Sequence, residues 1–202
     1  MNLLHIDSAI TGENSVTHQI GAAIVEAARR ADPGINVTYR DLASNPVPHL
    51  DGDAMGKLRG GQGEANDPDV LLNTVLIEEL LAADIVVIGA PMYNFSVPSQ
   101  LKAWIDRVAV PGKTFRYTEN GPQGLAGGKK VFVASARGGI YSEGPAAAAD
   151  FQEPFLRQIF SFFGIEDVTF IRAEGIAYGP EHFKTAVEAA IAEARTTLPL
   201  AA

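Results

Sequence analysis

Asp84-Ile85-Val86-Val87-Ile88-Gly89-Ala90-Pro91-Met92-Tyr93-Asn94-Phe95 is the stretch that decides the fold of this chain. Its run of β-branched residues reads as a buried strand over 85–89. The strand is expected to stop at Pro91, which has no N–H for a ladder bond. A Met, two aromatics and an amide follow, and then a helical pattern. Apolar and aromatic side chains just past the carboxyl end of a buried strand stand where open α/β sheets bind planar cofactors. A plainer reading is a strand-end loop whose aromatics cap the core.

Outward from this segment the pattern alternates. Strands are expected at 2–6, 35–40, 85–89, 129–135 and 168–172. Helices are expected at 15–31, 69–83, 99–108, 150–163 and 180–196, with 45–63 a long loop and 114–124 irregular. Such alternation argues for a parallel sheet covered on both faces. Right-handed crossovers then favour an α/β, doubly wound, five-stranded sheet in the order 2-1-3-4-5. No repeat or linker interrupts the pattern, so residues 1–202 read as a single domain.

Composition narrows the function. Lys and Arg number 16 against 24 Asp and Glu, a net charge of −8. That balance argues against a nucleic-acid partner. No signal pattern and no 18-residue apolar run is present, so a cytoplasmic protein with no membrane partner is expected. Cysteine is absent, which removes disulfides, thiolate nucleophiles and cysteine metal sites. Redox work would therefore need a bound cofactor. The four histidines are scattered, without HExxH spacing, so no metal site and no hydrolase triad is expected.

In a parallel sheet the loops after the first, third and fourth strands share one edge. The first, from Asp7 through Ser8, Ala9, Gly12 and Ser15 to Thr17, carries hydroxyls and free amides into a helix N-terminus, which suits a phosphate. An ordinary N-cap would look the same. The loop is not a Walker A motif, and no dinucleotide fingerprint is present. The third carries Met92, Tyr93, Asn94 and Phe95. The fourth, Ala136-Arg137-Gly138-Gly139, lets a backbone approach a flat ring, with Arg137 able to place a charge near the pocket. One phosphate-like and two ring-like loops fit a mononucleotide with a planar head, and flavin mononucleotide (FMN) fits better than ATP.

These residues resemble a known family. Leu3-Leu4-His5-Ile6-Asp7-Ser8, Ser15-Val16-Thr17, Ala90-Pro91-Met92-Tyr93-Asn94-Phe95, the run from Thr114 to Pro122, Ala136-Arg137-Gly138-Gly139 and the run from Ala173 to Gly179 together resemble the FMN-dependent NADH-azoreductases, also described as NADH:quinone oxidoreductases, of flavodoxin-like fold. The resemblance implies that Ser8, Ala9, Ser15, Val16 and Thr17 hold the FMN phosphate. It implies that Met92, Tyr93, Asn94, Phe95, Ala136, Arg137, Gly138 and Gly139 line the flavin, and that Tyr117, Asn120 and Phe162 border the substrate pocket. It further implies a homodimer that passes hydride from NADH to quinones or azo compounds, with the chemistry carried by the flavin and no catalytic side chain. Ala9 stands where members often carry a second Ser, and Ala136 where some carry Ser, so both positions retain only backbone contacts.

A single flavin face serving donor and acceptor in turn implies ping-pong kinetics. A flavodoxin-type electron carrier, an NAD(P)H:FMN reductase that releases its flavin, and a flavin-free scaffold remain open as alternatives. The helix at 150–163 is expected to cover the sheet with Phe151, Phe155, Ile159 and Phe162, leaving Leu156, Phe160 and Phe163 for a second burial surface.

Overall fold

A computed structural model describes residues 1–198. Five parallel strands form its sheet: β1 (Asn2–Asp7), β2 (Asn36–Asp41), β3 (Ile85–Pro91), β6 (Lys130–Ala136) and β7 (Asp167–Ala173), in the order β2-β1-β3-β6-β7. With the separate hairpin β4 (Phe115–Thr118) and β5 (Gly121–Gly124) set aside, this is the expected 2-1-3-4-5 order. Six α-helices accompany it among the described residues: α1 (Val16–Ala31), α2 (Gly52–Arg59), α3 (Pro68–Ala82), α4 (Ser99–Val108), α5 (Glu153–Phe162) and α6 (Pro180–Thr196).

The period of two along β3 builds two cores. Val86 and Ile88 join Leu76, Trp104, Leu156 and Phe160 on the α3, α4 and α5 side. Ile85 and Val87 join Ile20, Ile24, Val187 and Ala190 on the α1 and α6 side. A strand buried on both faces needs a continuous apolar run, which is why this segment is so legible. At about 1.5–3 kcal/mol for each buried large aliphatic side chain, it anchors the sheet. β3 stops at Pro91, as expected, but Ala90 and Pro91 still belong to it, Pro91 pairing in register with Ala136, so the strand is two residues longer than 85–89. The chain then makes its next donation at Met92 N–H, to Ala136 O at 2.9 Å.

Three expectations are corrected. The 45–63 stretch is not all loop, because it contains α2. Asp51 caps that helix, accepting from Ala54 N–H at 2.9 Å, and Lys57 pairs with Asp53 and Asp67. Only Ala54 of α2 is buried, so the helix carries no apolar stripe to read. The 114–124 segment is not irregular either, but an antiparallel hairpin with Tyr117 opposite Pro122. An edge strand tolerates Pro122, since its nitrogen need not donate.

The faces of α5 are the reverse of the expectation. Leu156, Phe160 and Phe163 are fully buried against the sheet, Phe155, Ile159 and Phe162 are half-buried, and Phe151 is 62% exposed. The helix begins at Glu153 rather than 150 because Asp150 Oδ1 accepts from Gln152 N–H (2.9 Å) and Glu153 N–H (3.0 Å), fixing the start of the first turn after it. Phe151 therefore lies before the helix and off its buried stripe.

Candidate functional site

The carboxyl ends of β1, β3, β6 and β7 open on a crevice of about 250 Å³ at the point where the winding reverses. Thr11, Asn14, Ser15 and Val16 line one end, and Pro91, Met92, Tyr93, Ala136, Gly138, Ile176 and Phe183 the other.

The first end is built by the start of α1. Ser15 is the N-cap, its Oγ accepting from His18 N–H at 3.3 Å and lying 2.9 Å from Thr17 Oγ1. The first backbone bond of the helix is Gln19 N–H to Ser15 O, so the amides of Val16 and Thr17 precede any intrahelical partner. The amides of this turn, the Ser15 hydroxyl and the positive end of the helix dipole suit a phosphate, while Thr17 is fully buried, lies outside the crevice lining and spends its hydroxyl on Ser15. Ser8 does not share in this. It is fully buried and its hydroxyl donates to Gly89 O at 2.6 Å. Ala9 is also buried.

Beneath the loop, Asp7 Oδ2 accepts from the Tyr39 hydroxyl at 3.1 Å and lies 3.4 Å from Nε2 of both His5 and His18. The two histidines are thus brought together, not scattered. Burial and the Asp7 charge push the Tyr39 phenol well above its ordinary value. Among the described residues no group of three His, Asp or Glu is arranged to hold a metal ion.

Met92 and Tyr93 line the second end, and Tyr93 opens a two-residue turn whose central residues, Asn94 and Phe95, lie outside the crevice lining. Tyr93 and Ser96 exchange both backbone bonds (2.9 and 3.1 Å), and the central residues Asn94 and Phe95 have φ of 49° and 72°. Two consecutive positive φ values are the requirement of a type I′ turn, where Asn suits the first position and Gly the second. Phe95 occupies the glycine position at a cost of about 1–2 kcal/mol. Ile10 N–H donates to the Tyr93 hydroxyl at 3.2 Å, tying this turn to the first loop. Asn94→Leu is expected to destabilise the turn by about 1 kcal/mol, whereas Asn94→Gly keeps the backbone conformation and leaves stability unchanged. Chemical denaturation of the two variants checks this, and their FMN affinities separate the role of the amide from that of the backbone.

Ala136 and Gly138 line the crevice, but the Arg137 side chain does not. It is 0% exposed and pairs with Asp150, Glu153 and Glu174, so it places no charge in the crevice and its contribution there is backbone. Burial pushes the Glu174 carboxyl up, but hydrogen bonds from Ser142 and Tyr141 and the charge of Arg137 outweigh this and hold it below its ordinary value.

Tyr117, Asn120 and Phe162 do not line this chain's crevice. Tyr117 and Asn120 stand exposed on the hairpin, and the Phe162 ring packs 4.3 Å from that of Phe115. Thr11, Asn14, Pro91, Ile176 and Phe183 line the crevice without having been singled out as site residues. Ile176 had a readable signal, because its loop also follows a strand on the same edge. Phe183 lies within α6, and nothing local marks it.

The model of a family described as having a flavodoxin-like fold matches residues 1–198. An FMN-dependent NADH:quinone oxidoreductase of Stenotrophomonas maltophilia is 56% identical over 192 residues, covering 95% of this chain and 93% of that protein. One of Rhizobium meliloti is 56% identical over 201 residues, covering 98% and 95%. Among solved structures, an azoreductase from Bacillus anthracis superposes with a TM-score of 0.87 at 29% identity, covering 98% of each chain. An FMN-dependent NADH-azoreductase from the same species, solved in complex with FMN, superposes with a TM-score of 0.82 at 25% identity over 96% of this chain and 98% of that one. A sheet of this order, a crevice at its switch point and identity at this level over nearly the whole length place the chain in the flavodoxin-like fold family, among the FMN-dependent NADH:quinone oxidoreductases.

Proposed function

We propose that this chain binds one FMN in the crevice and passes hydride from NADH to quinones and azo compounds. The observation that carries this reading is the two-ended crevice, with amides and hydroxyls at the start of α1 and apolar and aromatic walls from β3, β6 and the loop after β7. The names of the quinone oxidoreductases and of the solved azoreductases supply the donor and acceptor classes. FMN, when bound, supplies the hydride-accepting and hydride-donating chemistry.

The residues bind and orient. The Val16 amide and the Ser15 hydroxyl hold the phosphate, with Thr17 fixing the Ser15 hydroxyl from behind, while Met92, Tyr93 and Gly138 flank the ring. Ser8 acts by fixing β1 to β3, and Ala9 and Ala136 offer backbone alone. A single domain offers the same face of the ring to a nicotinamide and then to an acceptor. That shared face predicts ping-pong kinetics. Initial-rate lines against NADH at several fixed quinone concentrations should be parallel, and intersecting lines would reject the shared face.

We read residues 1–202 as one domain that works in the cytoplasm as a homodimer. Phe155, Ile159 and Phe162 leave α5 with a half-covered apolar face, and Tyr117, 73% exposed, projects beside it on the hairpin. The Phe115 ring covers Phe162 only in part, and a partner subunit would complete the burial. In a dimer Tyr117, Asn120 and Phe162 would border the partner's crevice. Phe162→Asp is expected to lower the dimer fraction in light scattering and to lower activity with it. A fully active monomer would contradict the assembly.

A further inference from the structure

Arg137 follows the last residue of β6 at the mouth of the crevice, yet its guanidinium is buried away from it. Its Nε donates to Ser135 Oγ at 3.0 Å. Its Nη1 donates to Asp150 Oδ2 at 2.9 Å and Glu174 Oε1 at 3.3 Å, and its Nη2 to Glu153 Oε1 at 2.5 Å. Arg172 grips Glu153 from the other side, from Nε at 2.6 Å and Nη2 at 2.7 Å. A buried ion network of this kind is weak evidence for stability by itself, since apolar packing often does as well. What it connects is more informative.

Two walls face each other across the crevice. On one, the backbone of 137–139 is laced to 175–177: Gly175 N–H donates to Gly139 O (3.0 Å), Ile176 N–H to Arg137 O (3.2 Å) and Ala177 N–H to Gly138 O (3.1 Å). On the other stands Tyr93, which opens the strained Asn94-Phe95 turn. Those three bonds do not reach that turn. The partners of Arg137 do, by two routes. Asp150, paired with Arg137, precedes Phe151, whose N–H donates to Phe95 O at 3.1 Å. Glu174 Oε1, also paired with Arg137, accepts from Tyr141 N–H (2.8 Å) and Ser142 N–H (3.0 Å), and the Ser142 hydroxyl donates to its other oxygen. The Tyr141 ring then meets the Phe95 ring edge-on at 6.1 Å. The contacts close a circuit: Arg137, Asp150, Phe151, Phe95, Tyr141, Glu174 and back to Arg137.

We propose that Arg137 is a positioning residue, the hub of a closed circuit that fixes the separation of the Asn94-Phe95 turn from the loop through Gly138 and Tyr141, and so sets the width of the slot for a planar ring. The identity of that ring as flavin rests on the function proposed above. The device holds both walls before the ligand arrives, so a strained turn is kept in place by bonds from outside it. It also accounts for an arginine where the crevice itself receives only backbone.

The test uses the full chain freed of FMN and titrated with FMN, following flavin fluorescence and absorption, for Glu174→Gln, Arg137→Lys and Asp69→Asn. Glu174→Gln keeps an acceptor and loses the charge, while Arg137→Lys keeps a charge and loses the fork that reaches several partners. Both are expected to weaken FMN binding on the order of tenfold, to shift the bound flavin's absorption band, and to speed amide exchange at Tyr141 and Ser142 in the FMN-free protein. Asp69→Asn breaks the pair with another fully buried arginine, Arg107 (2.6 Å), outside the circuit. It should lower Tm and leave FMN affinity at the wild-type value.

Glu174→Gln and Arg137→Lys proteins that bind FMN as wild type does, with unchanged exchange, would overturn the proposal. Should Arg137→Lys fail to fold, Glu174→Gln decides alone. A wild-type protein that binds no FMN would instead overturn the functional reading, and amide exchange in the FMN-free variants would still test the circuit.

Discussion

Gly124→Ala should unseat the hairpin from the end of α5. A Cβ at Gly124 would collide with Gly164 N, Phe163 C and Gly164 Cα. These are backbone atoms and cannot rotate aside as a side-chain end can. The bond that ties the two segments together, Ala126 N–H to Phe163 O at 2.9 Å, would have to lengthen to relieve the clash. Forced overpacking costs about 1–3 kcal/mol, and with rigid backbone on both sides the upper value applies. For a chain of this size about 3 kcal/mol corresponds to a Tm lower by roughly 6–12 °C. Because the hairpin carries Phe115 against Phe162, the homodimer proposed above predicts a dimer fraction that falls together with Tm. Thermal unfolding and light scattering on the same sample check both, and an unchanged Tm would show that the hairpin is not docked on the end of α5.

Phe160→Ala is expected to cost about 3–5 kcal/mol, the range for emptying an aromatic site in a packed core. Phe160 is fully buried among Trp104, Leu156, Val131 and Val133. Phe151→Ala, at a position 62% exposed, should change stability by less than about 0.5 kcal/mol. Urea denaturation of the pair measures the difference directly. Equal costs at the two positions would restore the face assignment that periodicity alone suggests.

That pair also shows where the sequence is legible and where it is not. β3 announces itself because a central parallel strand must be apolar on both faces, and Val86, Val87 and Ile88 leave no alternative. The two faces of α5 are harder. Seven apolar residues crowd 151–163, so periodicity allows two stripes, and the choice between them is made at the helix start. Asp150 turns the chain so that Glu153, not 150, begins the helix, and Phe151 falls outside the register. α2 escapes periodicity because caps and ion pairs hold it, with one buried residue. The hairpin escapes because Pro122 on an edge strand looks like a loop signal.

The site divides in the same way. The end of the crevice at the start of α1 is local to one loop and helix start, and of the residues expected there Ser15 and Val16 line it, with Thr17 buried behind them. Arg137 cannot be read locally, because its role depends on Asp150, Glu153 and Glu174, which lie 13, 16 and 37 residues away. Ser8 likewise spends its hydroxyl on a carbonyl 81 residues distant. Polar residues at a strand end read alike whether they face a ligand or a neighbouring strand.

An anaerobic absorption spectrum of the FMN-loaded full chain, taken before NADH, after one equivalent of NADH and again after a quinone, tests the central claim most directly. The predicted result is a visible flavin band that bleaches with NADH and returns with the quinone, at one FMN per chain. A protein that takes up no FMN, or a bound flavin that NADH leaves unchanged, would contradict the claim.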